Sequence, residues 1–347
     1  MHSTRPLRLL ALVLLSACGA DRIATTDQPT DQPAPDQQQM GPFAPAPAPT
    51  PPRRGPPYPV VFIHGMAGFD ALQVGGLSMD YFGNTVQDLS GRGEEVFRVV
   101  LPPFDDSEHR AIELQKQLND ILYRTNAAKL NLVAHSQGGL DARILISRAG
   151  LGWGDRIATL VTISTPHRGT KVANAAVGVA DVFPDSVSDG VLDGIAGMLS
   201  RTVYDVERDP KLRAQLEQLT EPTLEAFNRK YVNDERVRYL SWAGRSNLHT
   251  GLIVCDGATY PNQPWKVDVL LPLFSGVSVA TEWGIPAQVS DGLVTVESAK
   301  WGTFQGCVPA DHLDEVGMPN ANGVDLSIFD SKQFYRDLVA ELRAHGE

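Results

Sequence analysis

The stretch "KLNLVAHSQGGL", residues 129–140, constrains the fold of this 347-residue chain more than any other. An apolar run of strand length ends in a histidine, a serine and a glutamine, and then passes into two glycines. A polar residue at a tight bend between a buried strand and a helix either caps the helix or directs its hydroxyl group out of the fold. The rest of the sequence decides between these two roles for Ser136.

Segments that favour strands and helices alternate through most of the chain. This alternation predicts an α/β fold with a mostly parallel sheet and helices on both of its faces. Ser107 is the expected N-cap of the first helix, and Gly150 is the expected end of the second. The predicted strands cover 58–65, 95–103, 129–135, 156–165 and 237–244, and the predicted helices cover 107–124 and 138–150.

Residues 171–235 interrupt the alternation between the fourth and fifth predicted strands. Their small and apolar residues recur at mixed spacing, which indicates a helical insertion. Such an insertion either packs against the sheet edge or forms a lid over a site, and its glycine and alanine content suits a lid.

The first 18 residues have the pattern of a secretory signal. Arginines precede an apolar run from Leu9 to Leu15, which is too short to cross a bilayer. The run ends in "LSAC" at Cys18, which is typical of a lipobox, where the cysteine is lipidated and becomes the new N-terminus. Ordinary signal cleavage near Ala20 is the alternative. The lipobox predicts export and a lipid anchor in the membrane of the cell envelope.

Residues 19–57 are rich in Asp, Gln, Pro, Thr and Ala, and end near "PFAPAPAPTPPRRGPP". Few apolar side chains are present to offset the entropy of ordering, so this segment is predicted to be a disordered, partly polyproline-like tether. A folded domain over 58–347 is expected to follow it.

The net charge limits which partners the chain can bind, and the cysteine count limits which disulfides it can form. The net charge of −11 argues against a broad nucleic-acid surface. Besides Cys18, the chain has only Cys255 and Cys307, which most simply pair in an exported protein. Two buried thiols are the alternative.

"A-H-S-Q-G" matches the nucleophile elbow G-x-S-x-G, with an alanine in the first position. An elbow serine needs an acid and then a histidine later in the chain. His312 lies in a late polar loop, with Asp291 before it, whereas His249 remains possible and His345 is expected in a frayed terminus. From the residues alone, Asp291 competes with other carboxylates, at Asp256, Asp268, Asp311 and Asp314.

An elbow hydrolase also needs two backbone N–H groups to bind the oxyanion. One is expected from Gln137, directly after the serine, and the other from Met66 in "HGMAG", after the first strand. His64 in the same loop is expected to be structural rather than catalytic.

These motifs together resemble the bacterial true lipases of the Pseudomonas and Burkholderia type, α/β-hydrolases that cleave triacylglycerols. The resemblance covers about residues 58–320. It is carried by "VFIHGMAGFD", "DYFG", "KLNLVAHSQGG", "TISTPHRGTKVAN", "FNRKY", "YLSWAG", "SDGLV" and "HLDEVG". In that family the SDGLV aspartate is the triad acid and the histidine of HLDE is the base, which favours Asp291 and His312 over their rivals.

The resemblance also implies one structural calcium ion and no organic cofactor. Asp314 and Asp268 would supply carboxylate ligands, and Met318 and Asn322 backbone carbonyls. A solvated turn residue is the alternative for Asp268. The ion would pin the His312 loop and take no part in the chemistry.

Three features depart from the family pattern: Ala134 in the elbow, the position of Cys307 just before His312, and the lipobox with its tether. The expected activity is ester hydrolysis by Ser136, Asp291 and His312 through an acyl-enzyme, with triacylglycerol as substrate and a dedicated foldase as a further partner. A short-chain esterase or a polyester depolymerase is the enzymatic alternative. A non-catalytic envelope lipoprotein with a hydrolase-fold binding module is the alternative of another class.

Overall fold

The structure, a computed structural model, describes residues 53–68, 72–74, 77–177, 210–246, 255, 258–259, 288–318 and 329–347. Several predictions made from the sequence lie outside these residues. They include the signal, most of the tether, and the residues Cys18, His249, Asp256, Asp268 and Asn322.

Seven parallel strands of the described residues form one sheet. The strands are β1 Val60–Ile63, β4 Val96–Arg98, β5 Leu130–His135, β6 Ile157–Ile163, β7 Arg238–Gly244, β8 Ala258–Thr259 and β9 Thr303–Val308. A separate antiparallel hairpin joins β2 Leu72–Val74 to β3 Leu77–Met79. The order in the sheet is β4-β1-β5-β6-β7-β9-β8, so β5 lies inside the sheet between β1 and β6.

Helices connect the strands. They are α1 Thr85–Gly91, α2 Ser107–Thr125, α3 Gly138–Ile146, α4 Lys171–Val177, α5 Pro210–Gln218, α6 Glu221–Lys230, α7 Val296–Ala299 and α8 Ser331–Ala344, with short 3-10 turns at Trp153–Asp155 and Asp314–Val316. Within the described ranges, no helix combines the length and the apolar character needed to cross a bilayer.

The sheet is covered by helices on both faces, as the alternation of strands and helices predicts. Alternate residues of β1 point to opposite sides, because successive side chains of a strand face opposite ways. Val60 and Phe62 pack in one core layer with α1 and α8. Val61 and Ile63 pack in the other layer with α2 and α3. A fully buried parallel strand such as β1 therefore reads as a continuous apolar run.

Two helix boundaries differ from the sequence prediction. The N-cap of α2 is Asp106, whose carboxylate accepts the His109 N–H at 2.7 Å, and Ser107 is the first helical residue. A carboxylate is as good a cap as a hydroxyl, and it also interacts favourably with the helix dipole. Helix α3 ends at Ile146, because Ser147 turns to an extended backbone; Gly150 lies in the turn beyond.

The C-terminus was expected to fray, and this expectation is wrong. Helix α8 buries apolar side chains at helical spacing: Phe334, Tyr335, Leu338, Val339 and Leu342. His345 follows the helix directly, and its backbone N–H donates to the Glu341 carbonyl at 3.1 Å. The helix therefore belongs to the core.

The described parts of the 171–235 insertion are helical, in α4, α5 and α6. Ala173 of α4 and Leu224 of α6 join Leu140 of α3 in a small apolar cluster. The insertion therefore packs beside the helix that follows Ser136.

The chain enters the domain beside the start of β5. Arg54 forms a parallel bridge with Ala127, its N–H donating to the Asn126 carbonyl at 2.7 Å and its carbonyl accepting the Ala128 N–H at 2.8 Å. Its guanidinium also pairs with Glu95.

Candidate active site

Ser136 lies in a strained turn between β5 and α3. Its φ is 55°, which is unusual for a residue other than glycine and costs free energy that the surrounding fold must offset. The two glycines that follow are required by space. A Cβ on Gly138 would lie 2.7 Å from the His64 carbonyl oxygen, and one on Gly139 would lie 2.2 Å from Thr165 Oγ1. The alanine in the first elbow position, Ala134, is fully buried on β5 and fits without disturbing the ladder.

His312 connects Ser136 to Asp291. Its Nε2 lies 2.9 Å from Ser136 Oγ, and its Nδ1 lies 2.7 Å from Asp291 Oδ2. The Asp291 side chain is fully buried and that of His312 is 9% exposed. A serine, a histidine and an acid from three distant parts of the sequence thus form one hydrogen-bonded row.

The Asp291 carboxylate is held by its own turn, in the loop before α7. Its Oδ1 accepts the backbone N–H groups of Leu293 at 2.8 Å and Val294 at 2.7 Å. The His312 N–H also donates to the Asp291 carbonyl at 3.1 Å. The backbone thus helps to align the acid and the histidine, in addition to the hydrogen bond between their side chains.

A rival carboxylate, Asp311, has a different task. Its Oδ1 accepts the N–H groups of Leu313 and Asp314, each at 2.8 Å. It therefore caps the turn after His312, while Asp291 holds the His312 ring.

The loop after β1 lies against Ser136. A Cβ on Gly65 would lie 2.7 Å from Ser136 Cβ, so only glycine allows this approach. Among the described residues, the backbone N–H groups of Met66 and Gln137 have no hydrogen-bond acceptor, although Gln137 is fully buried. Met66 is half-buried, and a buried N–H without an acceptor, such as that of Gln137, is rare in folded proteins. Two such donors beside a serine hydroxyl suit an incoming oxyanion.

His64 supports this loop. Leu101 N–H donates to its Nε2 at 2.8 Å, and its Nδ1 lies 2.8 Å from the Gly65 carbonyl. Burial and the positive charge of Arg110 lower the pKa of His64 to about 3, so the ring is neutral at physiological pH. The structure thus places His64 as a structural residue.

Arg110 of α2 also binds the loop after β1. Its guanidinium donates to the carbonyls of His64 and Gly65, at 2.9 and 3.2 Å, and pairs with Asp141 of α3 at 2.8 Å. Burial raises the pKa of Asp141 to about 6, and the Arg110 charge opposes that rise. This fully buried pair joins the loop that carries Met66 to the helix that follows Ser136.

Curated relatives of this sequence are named lipases. The chain is 28% identical to triacylglycerol lipase 2 of Saccharomyces cerevisiae, over 84% of this chain and 93% of that protein. It is 27% identical to a triacylglycerol lipase of Pseudomonas fragi, over 75% of this chain and 87% of that protein. Triacylglycerol lipases of Vibrio cholerae and Burkholderia plantarii match over only 64% and 48% of their own length. The family model described as palmitoyl protein thioesterase matches residues 59–207.

Solved structures share the fold. A lipase of Staphylococcus hyicus superposes with a TM-score of 0.54 at 17% identity, over 84% of this chain and 99% of that chain. The mature Bacillus licheniformis lipase BlEst2 superposes with a TM-score of 0.53 at 18% identity, over 85% of this chain and 96% of that chain. The chain shares the α/β-hydrolase fold of these structures, and its relatives support a lipase family within that fold. It is therefore an ester hydrolase.

Beneath His312 the hydrolase has a buried polar network that the sequence did not predict. His135, directly before Ser136, has its Nδ1 2.8 Å from the Tyr81 hydroxyl and its Nε2 3.0 Å from Glu315. Ser164, at the end of β6, donates to Glu315 at 2.6 Å. Burial lowers the pKa of His135 and raises that of Glu315. The signal that could have indicated this network is the set of polar residues at the ends of neighbouring parallel strands, where α/β folds place their sites.

The calcium ligands predicted for the hydrolase are only partly described. Asp314 is buried in the turn after His312, and Met318 follows it half-buried. Burial raises the pKa of Glu315, and the charges of Asp291, Asp311 and Asp314 add to that effect. The corner therefore carries several carboxylates at close range. Oxygen ligands and excess negative charge fit a hard cation.

The structure joins Cys255 to Cys307 in a disulfide with a Cα–Cα distance of 6.1 Å. Cys307 lies on β9, five residues before His312, and both half-cystines are buried with Val294 and Val296. The bridge thus connects the strand that leads to His312 with the chain around residue 255.

Proposed function

We propose that this hydrolase is a triacylglycerol lipase that acts through Ser136, His312 and Asp291 as a catalytic triad. The observation that carries the proposal is the position of His312, hydrogen-bonded at 2.9 Å to Ser136 Oγ and at 2.7 Å to Asp291. A base between a nucleophile and an orienting acid is the arrangement that activates a serine. The substrate class is supported by the triacylglycerol lipases to which the chain is similar.

In the proposed reaction, Ser136 Oγ attacks the ester carbonyl and His312 Nε2 accepts its proton. The tetrahedral intermediate then releases the alcohol, which takes the proton back from His312. Water attacks the acyl-enzyme with the same base, and the fatty acid leaves. Asp291 keeps the Nδ1–H of His312 directed towards itself and stabilises the imidazolium.

The negative charge of each tetrahedral intermediate would be bound by the backbone N–H groups of Met66 and Gln137. Neither group has an acceptor among the described residues, so no internal hydrogen bond must break first. Loss of one such donor typically costs about 3–4 kcal/mol of transition-state stabilisation.

A structural calcium ion is part of the proposal. Asp314 and Asp268 would hold it with their carboxylates, and Met318 and Asn322 with their carbonyls. The ion would supply positive charge that offsets the carboxylates around Glu315 and would fix the turn that carries His312. No proton or electron transfer passes through it.

We also propose that the enzyme is exported and lipid-anchored at Cys18, with residues 19–57 as its tether. The "LSAC" sequence after an apolar run supports this localisation. Growth with a radiolabelled fatty acid would label the wild-type protein. Cys18→Ala should abolish the label and release the enzyme, and a label that persists would contradict the anchor.

The triad is tested with a fluorophosphonate probe, which labels activated serines. Wild-type protein should be labelled, whereas Ser136→Ala should be neither labelled nor active on p-nitrophenyl esters. The control is Ser147→Ala, at a buried serine of the next turn. Full activity of Ser136→Ala, or absence of labelling in the wild-type protein, would refute the mechanism.

A second candidate function is hydrolysis of acyl thioesters, because the family model that matches residues 59–207 is that of palmitoyl protein thioesterases. The third candidate function is hydrolysis of short-chain esters or of polyesters. One chain-length series of glycerol esters and acyl thioesters separates them. A lipase prefers long acyl chains of triacylglycerol above their solubility limit, whereas an esterase is fastest on soluble short-chain esters.

A further inference from the structure

Two buried glutamine side chains join the helical insertion to the residue that follows Ser136. Gln137 is fully buried and Gln215 of α5 is 1% exposed. Gln215 Nε2 donates to Gln137 Oε1 at 2.6 Å. The proposed mechanism uses the backbone of Gln137 and gives neither side chain a task.

The Gln137 side chain is held from two sides. Its Nε2 donates to the Asp105 carbonyl and to Ser107 Oγ, both at 3.2 Å, at the start of α2. Its Oε1 accepts from Gln215 on the opposite side. A buried amide is stable only when its donors and its acceptor are matched. The acceptor side of the Gln137 amide is therefore matched only while α5 occupies this position.

The side chain of Gln137 also restrains its backbone. The carbonyl of the Ser136–Gln137 peptide accepts from Thr165 Oγ1 at 2.7 Å and from the Gly139 N–H at 3.1 Å, whereas the N–H of the same peptide has no acceptor among the described residues. The N–H of Gln137 must point at the substrate oxygen within a few tenths of an ångström to stabilise the charge. A side chain that is fixed at its end restricts rotation of its own backbone unit.

We propose that Gln215 is a positioning residue of the reaction: through the Gln137 side chain, it holds the Gln137 N–H in the orientation that binds the oxyanion. Catalysis is then complete only when α5 is seated on the domain. This inference rests on the proposed function, since it needs an oxyanion to be bound.

Helix α5 supplies its own control. Gln218, three residues after Gln215, accepts the Ser107 N–H at 3.0 Å and so also fastens α5 to the start of α2. The structure gives it no hydrogen bond to Gln137. Loss of Gln218 removes one contact between α5 and α2 and leaves the contact between Gln215 and Gln137 in place.

The test compares Gln215→Met, Gln218→Met, Gln137→Met and the double variant Gln137→Met with Gln215→Met. Methionine keeps the length of glutamine and removes its hydrogen bonds. We expect Gln215→Met to lower kcat on a soluble p-nitrophenyl ester about tenfold, because a small misplacement costs less than the 10²- to 10³-fold of a lost donor. KM should stay within about twofold, fluorophosphonate labelling should slow in parallel, and Gln218→Met should stay near wild type.

The double variant separates direct from indirect action. If Gln215 acts through Gln137, the double variant is no slower than Gln137→Met alone. Three results would each overturn the inference. They are losses of kcat that multiply in the double variant, an unchanged kcat in Gln215→Met, and a loss of kcat in Gln218→Met equal to that in Gln215→Met. Should Gln215→Met melt below the assay temperature, Gln215→Asn is measured in its place, because its shorter side chain withdraws the amide from Gln137.

Failure of this inference is distinguishable from failure of the proposed function. Ser136→Ala is measured in the same assay. If it retains activity, the triad is refuted; if it is inactive while Gln215→Met matches the wild type, only the role of Gln215 is refuted.

Discussion

At the scale of residues, the site depends on a few side chains whose surroundings decide their tasks. Two carboxylates near His312 illustrate this. Asp291 uses one oxygen for its own turn and presents the other to the ring at 2.7 Å. Asp311 uses its Oδ1 to cap the next turn. The same chemical group thus holds the His312 ring in one place and fixes a turn in the other.

Asp291→Asn should lower kcat on a soluble ester by about 10³- to 10⁴-fold, because an amide favours the wrong tautomer of His312. KM should change little, since Asp291 does not touch the substrate. The matched control is Asp311→Asn, which keeps an oxygen for the turn and should retain kcat within a few-fold. A larger loss of kcat in Asp311→Asn than in Asp291→Asn would contradict these assignments and make Asp311 the orienting acid.

His64 predicts how stability depends on pH. Its pKa is lowered to about 3 in the folded protein, whereas an unfolded histidine titrates near 6.5. Between these values the unfolded chain binds one more proton than the folded chain, so stability falls as pH falls. The contribution is present above the unfolded pKa and is lost towards pH 3.

The measurement is chemical denaturation of the wild type and His64→Gln at pH 4.0, 4.5, 5.0 and 5.5. In this window the free energy of unfolding should fall with acidification more steeply for the wild type than for His64→Gln. The two slopes should differ by about 1.4 kcal/mol per pH unit. Equal slopes would show that His64 is protonated in the fold. The other buried histidines contribute equally to the slopes of both proteins, so their contributions cancel in the difference.

At the scale of elements, the turn between β5 and α3 determines the site because three segments meet within van der Waals distance there. The sequence predicted β1, β5, β6 and β7, since fully buried parallel strands read as apolar runs. It missed β9, where a glutamine and a glycine interrupt the run. It does not predict α8, although that helix is amphipathic, because a position at the end of the chain favours fraying.

The elbow can be tested through its glycines. Gly139→Ala would place a Cβ 2.2 Å from Thr165 Oγ1, so β6 and α3 must separate. We expect a loss of about 1–3 kcal/mol in stability, as for other overpacked sites, together with most of the esterase activity. Gly91→Ala at the end of α1 meets nothing within 4 Å and should leave both unchanged. Thermal unfolding and ester hydrolysis report the two effects.

At the scale of the whole molecule, the site combines residues from both ends of the domain. The sequence predicts Ser136, Asp291 and His312 as the triad, because the elbow pattern marks the serine and the family resemblance selects among the later carboxylates. The contacts of Glu315 and Gln215 are not predicted by the sequence. Each depends on a contact across 78 or more residues, and no local pattern indicates such a contact.

The disulfide should contribute to global stability. Replacing Cys255 and Cys307 with serine frees a segment whose ends are 52 residues apart in sequence, and we expect a loss of about 2–5 kcal/mol. Chemical denaturation of the wild type and the double serine variant under oxidising conditions measures this loss of stability. The wild type in the presence of a reductant is the control and should approach the double variant, whereas identical midpoints of all three would exclude a stabilising bridge.

The proposed calcium ion predicts coupled losses. Chelation should lower the Tm and the activity together, and added calcium should restore both. Asp314→Asn should make the Tm insensitive to chelator, whereas Asp337→Asn, on the exposed side of α8, should not. A wild-type Tm that chelator leaves unchanged would remove Asp314 from the list of ligands.

The bridge between Arg54 and Ala127 has a practical meaning for how the enzyme can be handled. Ala127 precedes β5 and Ser136 follows it, so the entering chain and Ser136 lie at opposite ends of one strand, roughly 20 Å apart. A fusion partner or a solid support joined before residue 53 is therefore attached at the end remote from Ser136. An immobilised form built this way should keep its turnover number on soluble esters.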